Sequence, residues 1–230
     1  MFDTQTIIYE DNHLLFVNKK AGDLVQGDST GDSSLRDTLM EYIKIKYQKP
    51  GKVFLGVPHR LDRPTSGICM FCKTSKALSR VQKAFANREV KKTYWALVDS
   101  NKTIPAEGKL THYLVKNHRI NKSFAVKANV KEGKKAILKF KKIAQNKQFA
   151  LLEIDLLTGR HHQVRVQLAK SNWPIVGDLK YGYSYANSDK SIALHARTLH
   201  ILHPVRKEPL SFNAPLPTLD IWNAFRDIES

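Results

Sequence analysis

A single carboxylate, Asp62, stands between two arginines in the segment HRLDRPTSG at residues 59–67. Arginine pairing favours the charged form of a carboxyl group, and an ionised carboxylate can act as a nucleophile or a general base near neutral pH. The segment separates two apolar runs, so we expect it to form a loop at the end of a sheet, where functional residues are common. A structural ion pair in a turn would give the same pattern, and these residues alone leave both roles open.

Two other groups of side chains invite a metal or redox interpretation. Cys69 and Cys72 form a CxxC motif inside the apolar run GICMFC. Positions i and i+3 of a strand point to opposite faces, and the sequence has no second cysteine pair that could complete a zinc site. We therefore predict that both cysteines are buried apolar thiols. His59, His161 and His162 do not have the spacing of metal ligands, and no metal is expected.

The segments that must position these residues are mostly extended. Runs rich in β-branched residues predict strands at residues 7–9, 14–18, 53–57, 68–72, 94–98, 124–130, 136–143, 149–157 and 192–201. Helical periodicity predicts helices at residues 35–43, which follow the capping candidates Ser33 and Ser34, at residues 77–85, after Gly159 and after Pro217. Because few helices separate the strands, we predict an α+β fold with a mixed, largely antiparallel sheet core and flanking helices.

The charge of the chain favours a polyanionic partner. Lys and Arg number 38 against 21 Asp and Glu, which gives a formal net charge of +17. A field of this size attracts nucleic acid. Residues 116–147 hold eleven Lys or Arg and one acid, Glu132. This clustering favours a surface that meets phosphates, and a solvated hairpin face is the alternative.

Location and organisation are inferred from what the sequence does not contain. The opening residues 1–12 carry acids and no apolar signal region, and no later stretch has the length that a bilayer requires. We expect a cytoplasmic protein with no membrane partner. No internal repeat or low-complexity linker interrupts the sequence, so we expect one domain over residues 1–230. Without a coiled-coil heptad, the expected state is a monomer.

The segment HRLDRPTSG resembles the signature loop HRLDxxTSG of the RluA-type RNA pseudouridine synthases. Further segments resemble landmarks of that family and follow in the family's order: VNKKAGDLVQ at residues 17–26, KKTYWALV at 91–98, TGRHHQVRVQLA at 158–169, GDLKYG at 177–182 and ALHA at 193–196. The departures are Lys20, where the family usually has Pro, and Gln167, where it often has His. The S4-like RNA-binding domain that precedes the catalytic domain in many relatives is not expected here.

The resemblance implies a catalytic role for three residues. Asp62 would be the catalytic aspartate, and Arg165 would be the arginine that pairs with it and holds it ionised. Tyr94 would be the aromatic residue that stacks on the target base. Without the other motifs, Tyr94 would be interpreted as a core residue of a strand and Arg165 as a surface charge of a helix.

The resemblance also implies residues that bind the substrate. Arg60 would help to displace the target base from its stack, and Leu194 would line the uracil pocket, with Val164 as a further apolar wall. His59 and Arg160 lie inside the matched motifs and are the remaining candidates for substrate binding.

The reaction implied is the isomerisation of uridine to pseudouridine in structured RNA, either ribosomal or transfer RNA. This reaction involves no redox change and no transferred group, so no cofactor is expected. The uridine must be flipped out of its stack to reach the carboxylate. Two other functions are compatible with the sequence: a catalytically silent RNA-binding module of the same fold, and an N-glycosyl hydrolase. The identity of the RNA and of the modified uridine stays open.

Overall fold

A computed structural model describes residues 3–27 and 31–228 of the chain, which folds into two compact units. The first unit comprises Met1–Lys91 and Ala196–Pro215, and the second comprises Lys92–His195 and Leu216–Ser230. The expectation of one domain over residues 1–230 stays a prediction. No helix in the described ranges is both long and apolar enough to cross a membrane.

The first unit is built on an antiparallel ladder of three strands. It contains β1 (Ile7–Glu10), β2 (Leu14–Lys19), α1 (Leu35–Lys46), β3 (Ser66–Cys72) and α2 (Ser75–Ala86). Strand β2 pairs with β1 on one side and with β3 on the other. Both faces of β2 and β3 are apolar, and the core side chains of β2 are fully buried, as expected for a central strand with both faces covered.

The two helices of the first unit begin where their capping residues predict. Ser34 accepts a hydrogen bond from the backbone N–H of Asp37, whose carboxylate accepts one from the backbone N–H of Ser34, and this capping box opens α1. Thr74 accepts a hydrogen bond from the N–H of Ala77 and opens α2. Helix α2 buries Ala77 and Val81, one helical turn apart, in the same core cluster as β2 and β3.

The second unit contains a five-stranded antiparallel ladder and one helix. Its strands are β4 (Lys91–Asp99), β5 (Glu107–Asn117), β6 (Lys122–Val126), β7 (Lys134–Gln145) and β8 (Phe149–Leu156), in the spatial order β4-β8-β7-β5-β6. The helix α3 (Gln163–Lys170) packs Val166 against Leu114 of β5 and Ala136 of β7. The chain then enters β9 (Leu194–Leu202), which pairs antiparallel with β10 (Pro209–Asn213) in the first unit.

The predicted α+β class with a mixed, mostly antiparallel sheet is confirmed. The strand predicted at residues 53–57 is wrong. Val53 and Leu55 are buried while Phe54 is exposed, which is the alternation of a strand, but the segment makes only an isolated bridge from Gly56 to Cys72. A strand needs a partner along its length, and side-chain alternation alone does not supply one.

Two strands were not predicted, and one helix differs in type. Strand β5 contains Gly108, His112 and two lysines, so that its composition does not show the alternation typical of a strand. Strand β10 is short and follows a turn at residues 203–208. The helix expected after Pro217 is a 3-10 helix at Asp220–Phe225, which buries Trp222 and Phe225 as predicted for its apolar side.

Candidate active site

The loop that carries Asp62 ends at a position where only glycine fits. Gly67, at the start of β3, has φ 110°, and a Cβ atom there would lie 2.3 Å from the carbonyl oxygen of Ala196. Just before it, the N–H of Thr65 donates to the carbonyl of Asp62 at 3.0 Å and closes a turn. Thr65 is 2% exposed, so the loop is anchored at its C-terminal end while Asp62 stays half-buried.

A buried lysine holds the backbone next to Asp62. Lys19 is 1% exposed, and its ammonium donates to three carbonyl oxygens, those of Lys20, Asp23 and Arg63, at 2.9, 2.9 and 3.1 Å. Burial lowers the pKa of Lys19 to about 8, and the charges of Asp23 and Asp62 oppose this effect. The motif VNKKAG therefore contributes a structural cation to the Asp62 loop, a role that the sequence analysis did not identify.

Arg63 fixes the loop from the other side. Its carbonyl accepts from the N–H of Gly22 at 2.8 Å, and its Nε donates to the carbonyl of Gly22 at 3.0 Å. Its guanidinium also forms an ion pair with Asp32 at 2.8 Å. The side chain of Arg63 thus connects two loops, and Arg60, the other arginine beside Asp62, is exposed.

His59 is held by the elements beneath the loop. Its Nε2 accepts from the backbone N–H of Met70 at 3.0 Å, and its ring centroid lies 5.2 Å from that of Phe85 on α2. Because Nε2 is an acceptor, a neutral His59 carries its proton on Nδ1. These contacts position the start of the loop, and substrate binding by His59 stays a prediction.

Arg165 is fixed in the second unit by a bidentate ion pair. Its Nε lies 2.7 Å from Oδ2 of Asp178, and Nη2 lies 2.9 Å from Oδ1. The two side chains are 4% and 1% exposed. The centroid of the Tyr181 ring lies 5.0 Å from Cζ of Arg165. Asp178 and Tyr181 both belong to the motif GDLKYG, so two of its residues orient Arg165, a relation that sequence spacing did not reveal.

The hydroxyl of Tyr181 connects strand β6 to the start of α3. It accepts from the N–H of Ser123 at 2.9 Å and lies 2.8 Å from Nδ1 of His162. We assign its own proton to the bond with His162, which makes Nδ1 an acceptor. Burial, with the positive charges of Arg165 and other neighbours, lowers the pKa of His162 to about 2, so that the ring stays neutral.

The remaining predicted site residues of the second unit lie on strands and on the loop before α3. Tyr94 is 6% exposed and pairs with Ile154 of β8. Leu194 is 3% exposed and opens β9. Arg160 is exposed, and its Nε donates to the carbonyl of Lys135 at 3.1 Å. The roles predicted for these residues, like the pairing predicted for Asp62 and Arg165, stay predictions.

Gln167 and the two cysteines have structural surroundings. Gln167, where the resemblance leads to histidine, donates from Nε2 to the carbonyls of Leu110 and Ala136 and so joins α3 to β5 and β7. Cys69 and Cys72 are buried and form no disulfide, which confirms the prediction of apolar thiols, and burial raises the pKa of Cys72 to about 12.

The fold places the chain in the class of pseudouridylate synthase domains, because solved structures of such domains share this architecture. Human RNA pseudouridylate synthase domain containing 4 superposes with a TM-score of 0.78 at 25% sequence identity, covering 95% of this chain and 91% of that one. Residues 13–170 match the family model described as RNA pseudouridylate synthase. The chain belongs to this family, which confirms the resemblance to its motifs.

Among curated proteins, the chain is similar to ribosomal large subunit pseudouridine synthases. It is 35% identical over 221 residues to synthase C of Vibrio vulnificus, covering 91% of this chain and 65% of that protein. It is 31% identical over 231 residues to synthase D of Blochmanniella floridana, covering 92% and 69%. The chain therefore spans about two thirds of the length of these relatives.

Proposed function

We propose that this protein is an RNA pseudouridine synthase that isomerises uridine in large-subunit ribosomal RNA. The observation that carries the proposal is the HRLDRPTSG loop, which lies inside the matched residues 13–170 and presents Asp62 half-buried just before the start of β3. The names of the relatives favour ribosomal RNA over transfer RNA as the substrate.

The proposed reaction needs one ionised carboxylate. The bond from N1 of uracil to C1′ of the ribose breaks, the detached base turns, and a bond from C5 to C1′ forms while the proton on C5 is lost and N1 gains one. Asp62 acts either at C1′ as a nucleophile, like the second carboxylate of retaining glycosidases, or at C2′ as a base. Both routes leave the atoms of the RNA unchanged in number, and neither uses a cofactor.

The anchoring of the Asp62 loop supports this role. A catalytic carboxylate must be held close to its productive geometry, and each loose torsion costs rate. The carbonyl of Arg63 is fixed by Lys19 and by the N–H of Gly22, and the carbonyl of Asp62 itself is fixed by Thr65. The backbone at Asp62 and at the residue that follows it is therefore restrained, while the side chain remains partly accessible.

Tyr94 and Arg165 are proposed in their family roles. The tyrosine ring would stack on the flipped base, which offsets part of the few kcal/mol that unstacking costs. Arg165 would hold the catalytic carboxylate ionised. Its guanidinium is oriented beforehand by Asp178 and Tyr181, so that little side-chain entropy is lost when substrate binds.

The proposal is tested by incubating the purified protein with an unmodified transcript of large-subunit ribosomal RNA. Carbodiimide mapping should detect conversion of one or more uridines, with no free uracil released, and transfer RNA transcripts should remain unmodified. Release of uracil would instead identify an N-glycosyl hydrolase. Binding of the transcript without conversion would identify a silent module, and conversion of transfer RNA alone would overturn the assignment of the substrate.

A further inference from the structure

Residues 116–147 contribute to two surfaces that differ in charge balance. Along the middle of β7, Lys141 lies directly between Glu107 of β5 and Glu153 of β8. Its neighbour on the same face, Lys139, lies between Lys109 and Asp155. Directly opposed residues on neighbouring strands share one face, and opposite charges there compensate each other. This part of the sheet, the compensated ladder, has three cations and three anions and therefore no net charge.

The other surface comprises the turn from β5 to β6, strand β6 itself and its connection to the start of β7. Residues 116–135 hold seven Lys or Arg and a single acid, Glu132. Two further cations are attached to it by hydrogen bonds, because Arg160 donates to the carbonyl of Lys135 at 3.1 Å and Lys180 donates to the carbonyl of Asn121 at 3.3 Å. We call residues 116–135 with Arg160 and Lys180 the basic tip.

The basic tip is built on a fixed backbone. The turn from β5 to β6 is held by Asn117, whose Oδ1 accepts from the N–H groups of Arg119 and Ile120. On the facing loop, His161 lies 2.8 Å from Oγ of Ser123 and 3.1 Å from Oδ1 of Asn121. Most of its cationic side chains are nevertheless exposed. Exposed cations on an ordered backbone can meet phosphates with little loss of backbone entropy.

The positive charge of the basic tip also acts on a buried side chain, that of His162. Besides burial, the charges that lower the pKa of His162 come from Arg165, His161, Lys180 and Lys116, all of which are positive or become so. Lys180 and Lys116 belong to the basic tip. At the compensated ladder, by contrast, each lysine of β7 has an acid directly opposite. The uncompensated lysines and arginines of residues 116–147 are therefore those of β6 and of the segments that flank it.

We propose that the basic tip is the surface through which the second unit binds the phosphate backbone of the RNA, and that the compensated ladder is a solvated surface without a role in binding. The proposal rests on the proposed function, since it takes RNA as the substrate. It assigns counterion release from RNA to the seven cations of residues 116–135 and excludes Lys139 and Lys141 from that role.

Two triple variants that remove the same charge separate these roles. The tip variant replaces Arg119, Lys127 and Lys131 with Gln, and the ladder variant replaces Lys109, Lys139 and Lys141 with Gln. All six side chains are exposed, so thermal melting should show that both variants fold. The affinity for the unmodified large-subunit transcript is measured for each variant and for the wild type at several salt concentrations between about 50 and about 200 mM.

The tip variant should bind about tenfold more weakly than the wild type, and the slope of log K against log salt should become less negative by about 2. The ladder variant should change the affinity by less than about twofold and keep the wild-type slope. Equal losses in both variants, a larger loss in the ladder variant, or no loss in either would overturn the proposal. Pseudouridine formation by the wild type is scored separately, so that absence of conversion with a tip-dependent affinity would contradict the proposed function and leave the binding surface standing.

Discussion

Arg165 and Asp178 form an ion pair whose side chains are only 4% and 1% exposed. The bidentate geometry satisfies both carboxylate oxygens, and neither side chain can recover water if its partner is lost. Removing one member of such a pair is costly, because the remaining buried charge loses its bidentate partner. The structural requirement for Asp178 is therefore independent of any catalytic role of Arg165.

Replacing Asp178 with Asn should lower the free energy of unfolding by about 3–5 kcal/mol, as measured by chemical denaturation. The amide keeps one acceptor for the guanidinium but removes the charge. As a control, Glu132→Gln removes the same charge from an exposed side chain and should change the free energy by less than about 0.5 kcal/mol. A loss below about 1 kcal/mol in the Asp178 variant would show that water or another group compensates Arg165.

The role of a single residue was predictable where its neighbours in the sequence are unusual. It was not predictable where the role depends on burial. Asp62 between two arginines is conspicuous in the chain itself. Lys19 and Asp178 look like ordinary surface charges, because nothing local shows that three carbonyls surround the ammonium or that a guanidinium faces the carboxylate. The motifs that contain them, VNKKAG and GDLKYG, were identified as landmarks without a physical reason, and burial now supplies one.

At the scale of elements, one glutamate joins three parts of the first unit. Glu10, at the end of β1, accepts from Lys46 and Tyr47 at the C-terminal end of α1 and from Lys73 after β3, at 2.7, 2.8 and 2.7 Å. Tyr42 of α1 adds a fourth bond at 2.9 Å. Burial raises the pKa of Glu10, but these four hydrogen bonds outweigh it and lower the pKa to about 2.

The lowered pKa makes a prediction for the acid stability of the first unit. Because the folded-state pKa of Glu10 lies below its ordinary value of 4.5, its contribution is complete above about pH 4.5 and is lost as the pH falls towards 2. Glu10→Gln should therefore cost about 2–3 kcal/mol at pH 6, and the difference from the wild type should shrink steadily below pH 4.5. Glu41→Gln, an exposed change on α1, is the control.

Denaturation with urea at pH 6, 4 and 3 would measure this difference. A gap between wild type and Glu10→Gln that stays constant over this range would show that the carboxylate is not stabilised by its four donors.

Elements were predictable where local signals agree. Ser34 and Thr74 cap α1 and α2 as capping preferences require, and β2 and β3 read as apolar runs because both of their faces are covered. Strand β5 could not be found in this way, because its exposed face is polar and its inner face includes His112 beside Leu110 and Leu114. Its existence depends on pairing with β6 and β7, which no local pattern encodes.

At the scale of the whole molecule, charge and family membership were predictable, and the distribution of charge was not. The excess of Lys and Arg in residues 116–147 indicated a phosphate-binding surface. The net charge around these lysines also depends on acids that are far away in sequence. Glu107 and the two acids of β8 are brought opposite the lysines of β7 only by strand register. The same register leaves the lysines at the turns uncompensated.

The central claim is that Asp62 performs the chemistry of uridine isomerisation. Asp62→Asn retains the size of the side chain and removes its charge, so folding and most of the RNA affinity should be unchanged. Asp227→Asn, an exposed change of the same kind, is the control. Both variants are incubated with the unmodified large-subunit transcript, and pseudouridine is quantified against the wild type after equal times. We expect wild-type conversion by the Asp227 variant and none by the Asp62 variant; conversion by Asp62→Asn at the wild-type rate would show that Asp62 does not perform the chemistry.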